Sequence, residues 1–212
     1  MNKLAHMRKD YIKASLDVRD LKENPLDQFV EWFEQIMHYD ELEANAFVLS
    51  TCDAEGQPHG RVVLLKGIEE GRFVFYTNYN SSKAKEMSEN ARVAATFYWP
   101  HLERQVRIEG TVKKVPASVS DAYFHSRPEE SKIGAWASEQ SAVLADRKAL
   151  EHNFAHWTQQ FDGKKIHRPD HWGGFSIHAI RFEFWQGRAS RLHDRFRYEQ
   201  HDGLWKISRL SP

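Results

Sequence analysis

Residues 182–195 read FEFWQGRASRLHDR, a run in which aromatic strand formers give way to closely spaced basic residues. Phe182, Phe184 and Trp185 are strand formers, and 187–190 reads as a turn joining two short strands. Beyond the turn, Arg191, His193 and Arg195 fall at i, i+2 and i+4. In an extended chain that spacing sends them to one face, with Leu192 and Asp194 on the other. Two guanidiniums and an imidazole side by side repel one another unless an anionic or strongly polar ligand lies among them. Spacing alone leaves open a solvated edge strand carrying scattered charge.

The chain of 212 residues is long enough to bury a core within one domain. Thirty Lys and Arg balance thirty Asp and Glu, which argues against bulk nucleic-acid binding but permits a local basic pocket. Seven Trp and thirteen Phe, with 41% hydrophobic residues, indicate an aromatic-rich folded chain. The single cysteine, Cys52, excludes an intrachain disulfide and fits a reducing compartment. The start, MNKLAHMRKDYIK, lacks the apolar core of a signal peptide, and no apolar run reaches membrane-spanning length, so a cytoplasmic protein is expected. No HExxH or similar spacing occurs among the twelve histidines, and no metal is assigned.

Residues 1–22 are charged with sparse apolar positions and are expected to form a mobile amino-terminal helix, with 23–212 as one domain. Asn24-Pro25 is a helix start, followed by Leu26, Phe29, Val30, Phe33 and Met37 as one buried stripe. Strands are predicted over 46–51, 59–66, 72–77, 91–99 and 103–115, with turns at 53–56 and 67–71 and a short helix from Ser81-Ser82 to Asn90. The middle reads as helical: a capping-box start at 118–121, a second stretch from Pro128 through Trp136, and a third over 142–161. A loop at 163–174 precedes strands at 175–180, 181–186, 191–198 and 204–209. Hairpins, inserted helices and closing hairpins predict an α+β fold around a small antiparallel β-barrel.

Several stretches carry candidate chemistry. Arg61 and Lys66 flank an apolar strand, which strict alternation places on opposite faces near opposite rims. Tyr76-Thr77 leads through a polar loop to Ser81-Ser82-Lys83, where free N–H groups, the positive helix end and a lysine favour phosphate. Tyr123, Arg127 and Ser131 fall at i, i+4 and i+8. They share a helical face if the turn continues past Pro128, and together they suit a phosphate monoester. Solvated strand ends, a capping serine pair and a surface glutamine at Gln105 remain the alternatives.

The run 182–186, four residues, then Arg191-Leu192-His193-Asp194-Arg195 closely resembles the signature of pyridoxamine 5′-phosphate oxidases. The resemblance implies an FMN-binding split barrel, a homodimer with active sites at the subunit interface. It implies oxidation of pyridoxamine or pyridoxine 5′-phosphate to pyridoxal 5′-phosphate, with O₂ as acceptor and H₂O₂ as by-product. By resemblance, Arg61, Val62, Val63, Leu64, Leu65, Lys66, Tyr76, Thr77, Ser82, Lys83, Gln105, Gln140, Ser141, Trp185 and Arg195 contact FMN, with Gln105 offering donor and acceptor to the flavin's pyrimidine edge. Lys66, Tyr123, Arg127 and Ser131 hold the substrate phosphate; Arg191 and His193 orient the pyridine ring, and Arg8 and Tyr11 fold over it. Ser82 departs from the arginine usual at that position, which implies a somewhat weaker grip on the FMN phosphate unless another cation substitutes. No dedicated general base is assigned. The alternatives are a split-barrel flavoprotein acting on another substrate, and a nucleic-acid-binding barrel, which zero net charge disfavours.

Overall fold

The computed structural model describes residues 6–7, 10–39 and 43–212. In chain order the elements are α1 (Pro25–Met37), β1 (Ala46–Cys52), β2 (Pro58–Leu64), β3 (Gly67–Glu69), β4 (Arg72–Asn78), α2 (Ser82–Glu89), β5 (Arg92–Trp99) and β6 (Arg104–Lys114). There follow α3 (Ala117–Ser126), α4 (Glu129–Ala137), α5 (Arg147–Gln160), β7 (Trp172–Gln186), β8 (Asp194–His201) and β9 (Leu204–Leu210). The strands bond in the order β2-β1-β5-β6-β7-β4-β3, and β8 pairs with β7 and β9. Two tight hairpins fix the register of their strands. Glu70-Gly71 joins β3 to β4 and Asp202-Gly203 joins β8 to β9, and all four residues take positive φ, the conformation a two-residue hairpin turn requires.

Contacts divide the chain into two compact units. The first comprises Met1–Leu49, Ala94–Gly110 and Ala179–Pro212. Its core is aromatic: Phe29 and Trp32 of α1 meet Phe97 of β5 and Phe184 of β7 at centroid distances of 5.0 and 5.1 Å. Asn24 caps α1 by accepting from Leu26 N. The buried stripe is Phe29, Trp32 and Ile36, whereas Val30 and Met37, assigned to it from the sequence, are 37% and 61% exposed. The helix expected over 1–22 is absent among the described residues of that stretch. From Asp10 to Leu21 the chain forms neither α-helix nor strand, apart from a 3-10 turn at Val18–Asp20 started by Asp17, and Leu16 is buried.

The second unit comprises Ser50–Val93 and Thr111–His178. β4 pairs antiparallel with β7, with Phe75 opposite Phe175 and their rings stacked at 5.9 Å. A second cluster of Phe124, Ile133, Ala135, Ile166 and Trp172 gathers α3, α4, the loop after α5 and the start of β7, with Trp157 and Phe161 packed on it.

Five further expectations are corrected. The turn expected at 67–71 is narrower, because Gly67–Glu69 pairs with β4 as a strand. The loop expected through 174 ends at His171, and the two strands expected at 175–180 and 181–186 are one strand, since no turn former interrupts Ile180-Arg181. α3 starts at Ala117 after Pro116 with no side-chain cap, so the capping box is not formed. The strand expected over 191–198 begins only at Asp194, because a 3-10 turn at Ala189–Arg191 occupies its start.

Candidate active site

In the second unit, β2, β4, the start of α2 and the end of α3 surround a cavity of about 490 Å³. Arg61, Val62, Val63, Leu64 and Lys66 line it from β2 and its exit, Tyr76 and Thr77 from β4, and Lys83 from α2. Arg61 and Lys66 thus face one space rather than opposite rims, because β2 ends at Leu64 and alternation stops there. Leu65 is buried in the core and does not line the cavity. Lys83 is only 7% exposed, and its ammonium donates to Thr77 Oγ1 at 3.3 Å. Burial, then repulsion from Arg61, holds its pKa below the ordinary lysine value, with Glu86 opposing. Gln140 joins the wall by accepting from Thr77 Oγ1 at 3.1 Å and from Asn78 N at 3.2 Å.

Across the cavity, Tyr123 stacks on Tyr76 with centroids 3.9 Å apart, and both rings lie parallel to Trp172. Gly174 permits this approach, since a Cβ there would meet Tyr76 Cε1 at 2.8 Å. Burial, then the charge of Glu69, pushes the Tyr76 phenol up to about 12, so it stays protonated at neutral pH. Arg127 closes α3 in an extended conformation (φ −72°, ψ 151°), which breaks the helical face expected for Tyr123, Arg127 and Ser131. Tyr123 and Arg127 still line the cavity together, while Ser131, in the first turn of α4, is half-buried and does not. The Arg127 guanidinium lies 4.5 Å over the Trp172 ring. Its Nη1 is buried without a hydrogen-bond partner among the described residues, and burial depresses its pKa. A buried N–H of a cation left unbonded costs free energy that an anion in the cavity would recover. Ser82 and Ser141 lie elsewhere, on the wall of a neighbouring hollow of about 560 Å³ that also includes Lys85.

In the first unit, the turn after β7 builds a different cluster. Trp185 and His193 pack with centroids 4.7 Å apart, and Tyr11 meets them edge-on at 5.5 and 5.6 Å. Asp194 holds the turn by accepting from Arg188 Nη1 at 3.0 Å, Arg209 Nη1 at 2.9 Å and Leu16 N at 3.1 Å. Burial, then the charges of Arg191 and Arg195, lowers the His193 pKa below its ordinary value. The single face expected for Arg191, His193 and Arg195 does not form as drawn. Arg191 sits in the turn with φ 63°, whereas Arg195 is on β8, bonded to Glu183 at 3.0 Å and to the carbonyl of Ser211 at 2.8 Å. Gln105 is half-buried on β6. Arg8 lies outside the described residues.

The sequence reading missed Trp172, Asn78 and Glu86. The aromatic Trp172 was hidden in a presumed loop, and Glu86 was signalled only by its place one helical turn after Lys83.

Solved structures of similar shape define the class of fold. PhzG from Burkholderia lata, in complex with tetrahydrophenazine-1-carboxylic acid, superposes with a TM-score of 0.87 at 27% identity, covering 94% of this chain and all of that one. A pyridoxamine 5′-phosphate oxidase-related, FMN binding protein from Nostoc punctiforme superposes at 0.71 with 14% identity, covering 91% of this chain and all of that one. The architecture is therefore an α+β split β-barrel. Residues 33–161 match the family described as pyridoxamine 5′-phosphate oxidase, and 172–212 match its C-terminal dimerisation region. The pyridoxine/pyridoxamine 5′-phosphate oxidase of Ralstonia pickettii is 50% identical over the full length of both chains, and that of Synechocystis is 47% identical over 99% of this chain and 98% of its own. The chain belongs to the pyridoxamine 5′-phosphate oxidase family. Among its described residues no helix is long and apolar enough to cross a membrane.

Proposed function

We propose that the protein oxidises pyridoxamine 5′-phosphate and pyridoxine 5′-phosphate to pyridoxal 5′-phosphate, using FMN and O₂ and releasing H₂O₂. The observation that carries this reading is Arg127: a cation with a buried, unbonded N–H, facing a cavity it shares with Lys66 and Tyr123. A planar guanidinium, an ammonium and a phenol suit a phosphate monoester.

The residues present also fit FMN. Arg61, Thr77 and Lys83 offer cations and a hydroxyl at one end of the cavity, and the strand Val62-Val63-Leu64 supplies an apolar wall. When bound, FMN would supply the redox chemistry, as hydride acceptor and as electron donor to O₂. The protein binds and orients. Lys66, Tyr123 and Arg127 anchor the substrate phosphate; Arg191 and His193 hold the pyridine ring and stabilise charge that develops on it. Trp185, Arg195 and Gln105 belong to the flavin side in this reading, as do Gln140 and Ser141, and Tyr11 with Arg8 covers the substrate. The family's C-terminal dimerisation region supports a homodimer, and this reading puts the active sites at the subunit interface. The lone, free Cys52 is consistent with a cytoplasmic setting.

The purified protein is expected to be yellow with bound FMN and to form aldehyde from pyridoxamine 5′-phosphate under air. A colourless protein that does not take up added FMN, or a flavin-loaded one that forms no aldehyde, overturns the reading.

A further inference from the structure

Glu86 does not line the cavity, yet it is 7% exposed and touches what does. Its Oε2 accepts from Arg61 Nη2 at 3.0 Å and from the Thr51 hydroxyl, and Arg61 Nη1 also bonds that hydroxyl. Carboxylate, guanidinium and hydroxyl thus form a closed triangle spanning β1, β2 and α2. Lys83, one helical turn before Glu86, is the second cation at this end of the cavity.

Two partly buried cations this close destabilise each other, and neither geometry nor charge is held without a counter-group. Glu86 supplies both. Its oxygen fixes the guanidinium at the cavity wall, and its charge opposes the depression of the Lys83 pKa that burial and Arg61 cause. We propose that Glu86 is a positioning residue for anion binding in this cavity, acting through Arg61 on the phosphate of the flavin with Thr51 as the third member of the clamp. The inference rests on the FMN reading above.

A double-mutant cycle on FMN affinity, read by quenching of flavin fluorescence on the reconstituted full-length protein, tests it. Glu86→Ala is expected to weaken FMN binding by about tenfold or more, and Arg61→Ala likewise. The double variant should be no weaker than Arg61→Ala alone. Glu86→Gln keeps an acceptor and should recover much of the loss. Without the carboxylate charge near Lys83, however, its affinity should begin to fall at a lower pH than that of the parent. Additive losses, or a Glu86→Ala variant that binds FMN like the parent, overturn the inference. Should Glu86→Ala not fold, Thr51→Val serves instead, with a smaller loss that must vanish in the Arg61→Ala background. If the parent protein binds no FMN, the proposed function has failed; if it binds FMN and the cycle is additive, only the role of Glu86 has failed.

Discussion

Arg188 donates its backbone N–H to Nδ1 of His193 at 3.1 Å, so the neutral imidazole carries its proton on Nε2. The ring therefore offers a donor toward any ligand, and Asp194, through Arg188 and Leu16, keeps the turn that makes the bond.

Burial, Arg191 and Arg195 all disfavour the imidazolium, so His193 is expected to titrate below the ordinary 6.5 and to be neutral at pH 7. Arg191→Ala removes one repelling cation and should move that titration upward. Followed by NMR of the His193 ring, a downward or absent movement would refute the electrostatic account. If the neutral ring is the working form, kcat/KM falls as pH drops through the same value. Arg191→Ala should also reduce kcat by about a hundredfold while FMN content is retained. A flavin-loaded variant with normal turnover removes Arg191 from the mechanism.

In the proposed site, a change at Arg127 should separate substrate binding from flavin binding. Arg127→Ala is expected to raise KM for pyridoxamine 5′-phosphate by about a hundredfold and to leave FMN affinity unchanged. Arg127→Lys restores charge but not the planar fork over Trp172, so recovery should be partial. Steady-state kinetics on flavin-loaded protein distinguish these outcomes, and an unchanged KM would mean that the phosphate sits elsewhere.

How far the sequence disclosed the site depends on what kind of local signal each residue had. Thr77 and Lys83 were legible because a strand end and a helix start place them by short-range rules, whereas alternation put Lys66 on the rim opposite Arg61, since it was carried past the end of β2 at Leu64. Arg191 was not: a residue at φ 63° gives no periodic signal, and alternation carried through the turn put it on a strand that begins only at Asp194. Arg195 was legible as a cation but not as an ion-paired one, because Glu183 reaches it from a neighbouring strand, and cross-strand register is invisible in a single sequence. In the fold, hairpins and helix starts followed from local chemistry. The face of α1 did not, because two apolar stripes compete there and tertiary packing chose the one containing Trp32.

In the proposed site, Lys83 should give FMN affinity a pH dependence of definite sign. Only the ammonium attracts phosphate, and burial with Arg61 holds its pKa below the ordinary 10.5. Affinity is therefore full below that depressed value and falls as pH rises through it, earlier than a solvent-exposed lysine would allow. Lys83→Arg, which stays charged, should abolish the alkaline fall. A fall that persists in Lys83→Arg would assign it to another group.

Trp32, fully packed against Phe184, is expected to cost about 3–5 kcal/mol when changed to Ala, by lost burial plus the cavity left behind. Met37→Ala, on the exposed side of the same helix, should stay within about 0.5 kcal/mol. Denaturant unfolding of both variants decides which stripe carries α1. Equal losses would return the helix to the face read from its sequence.

Gly187 is where the amino-terminal segment finds its seat. A Cβ at this position would lie 2.7 Å from Tyr11 Cγ and 2.8 Å from Tyr11 Cβ. The overlap is with the root of the side chain, which no rotation of the ring relieves, so the segment itself must shift. Gly187→Ala should therefore separate Tyr11 from Trp185 and His193, and with it loosen the bond from Lys13 N to Glu103 at 3.1 Å. Trypsin cleavage after Lys13 is expected to rise about threefold or more, because protease sensitivity follows local opening. Tyr11→Ala should raise it to a similar extent, and the two changes together should add little, since each removes the same contact. The unfolding midpoint should move far less than in Trp32→Ala, because the core of α1 is untouched. Identical cleavage of Gly187→Ala and the parent would show that Tyr11 does not hold the segment down.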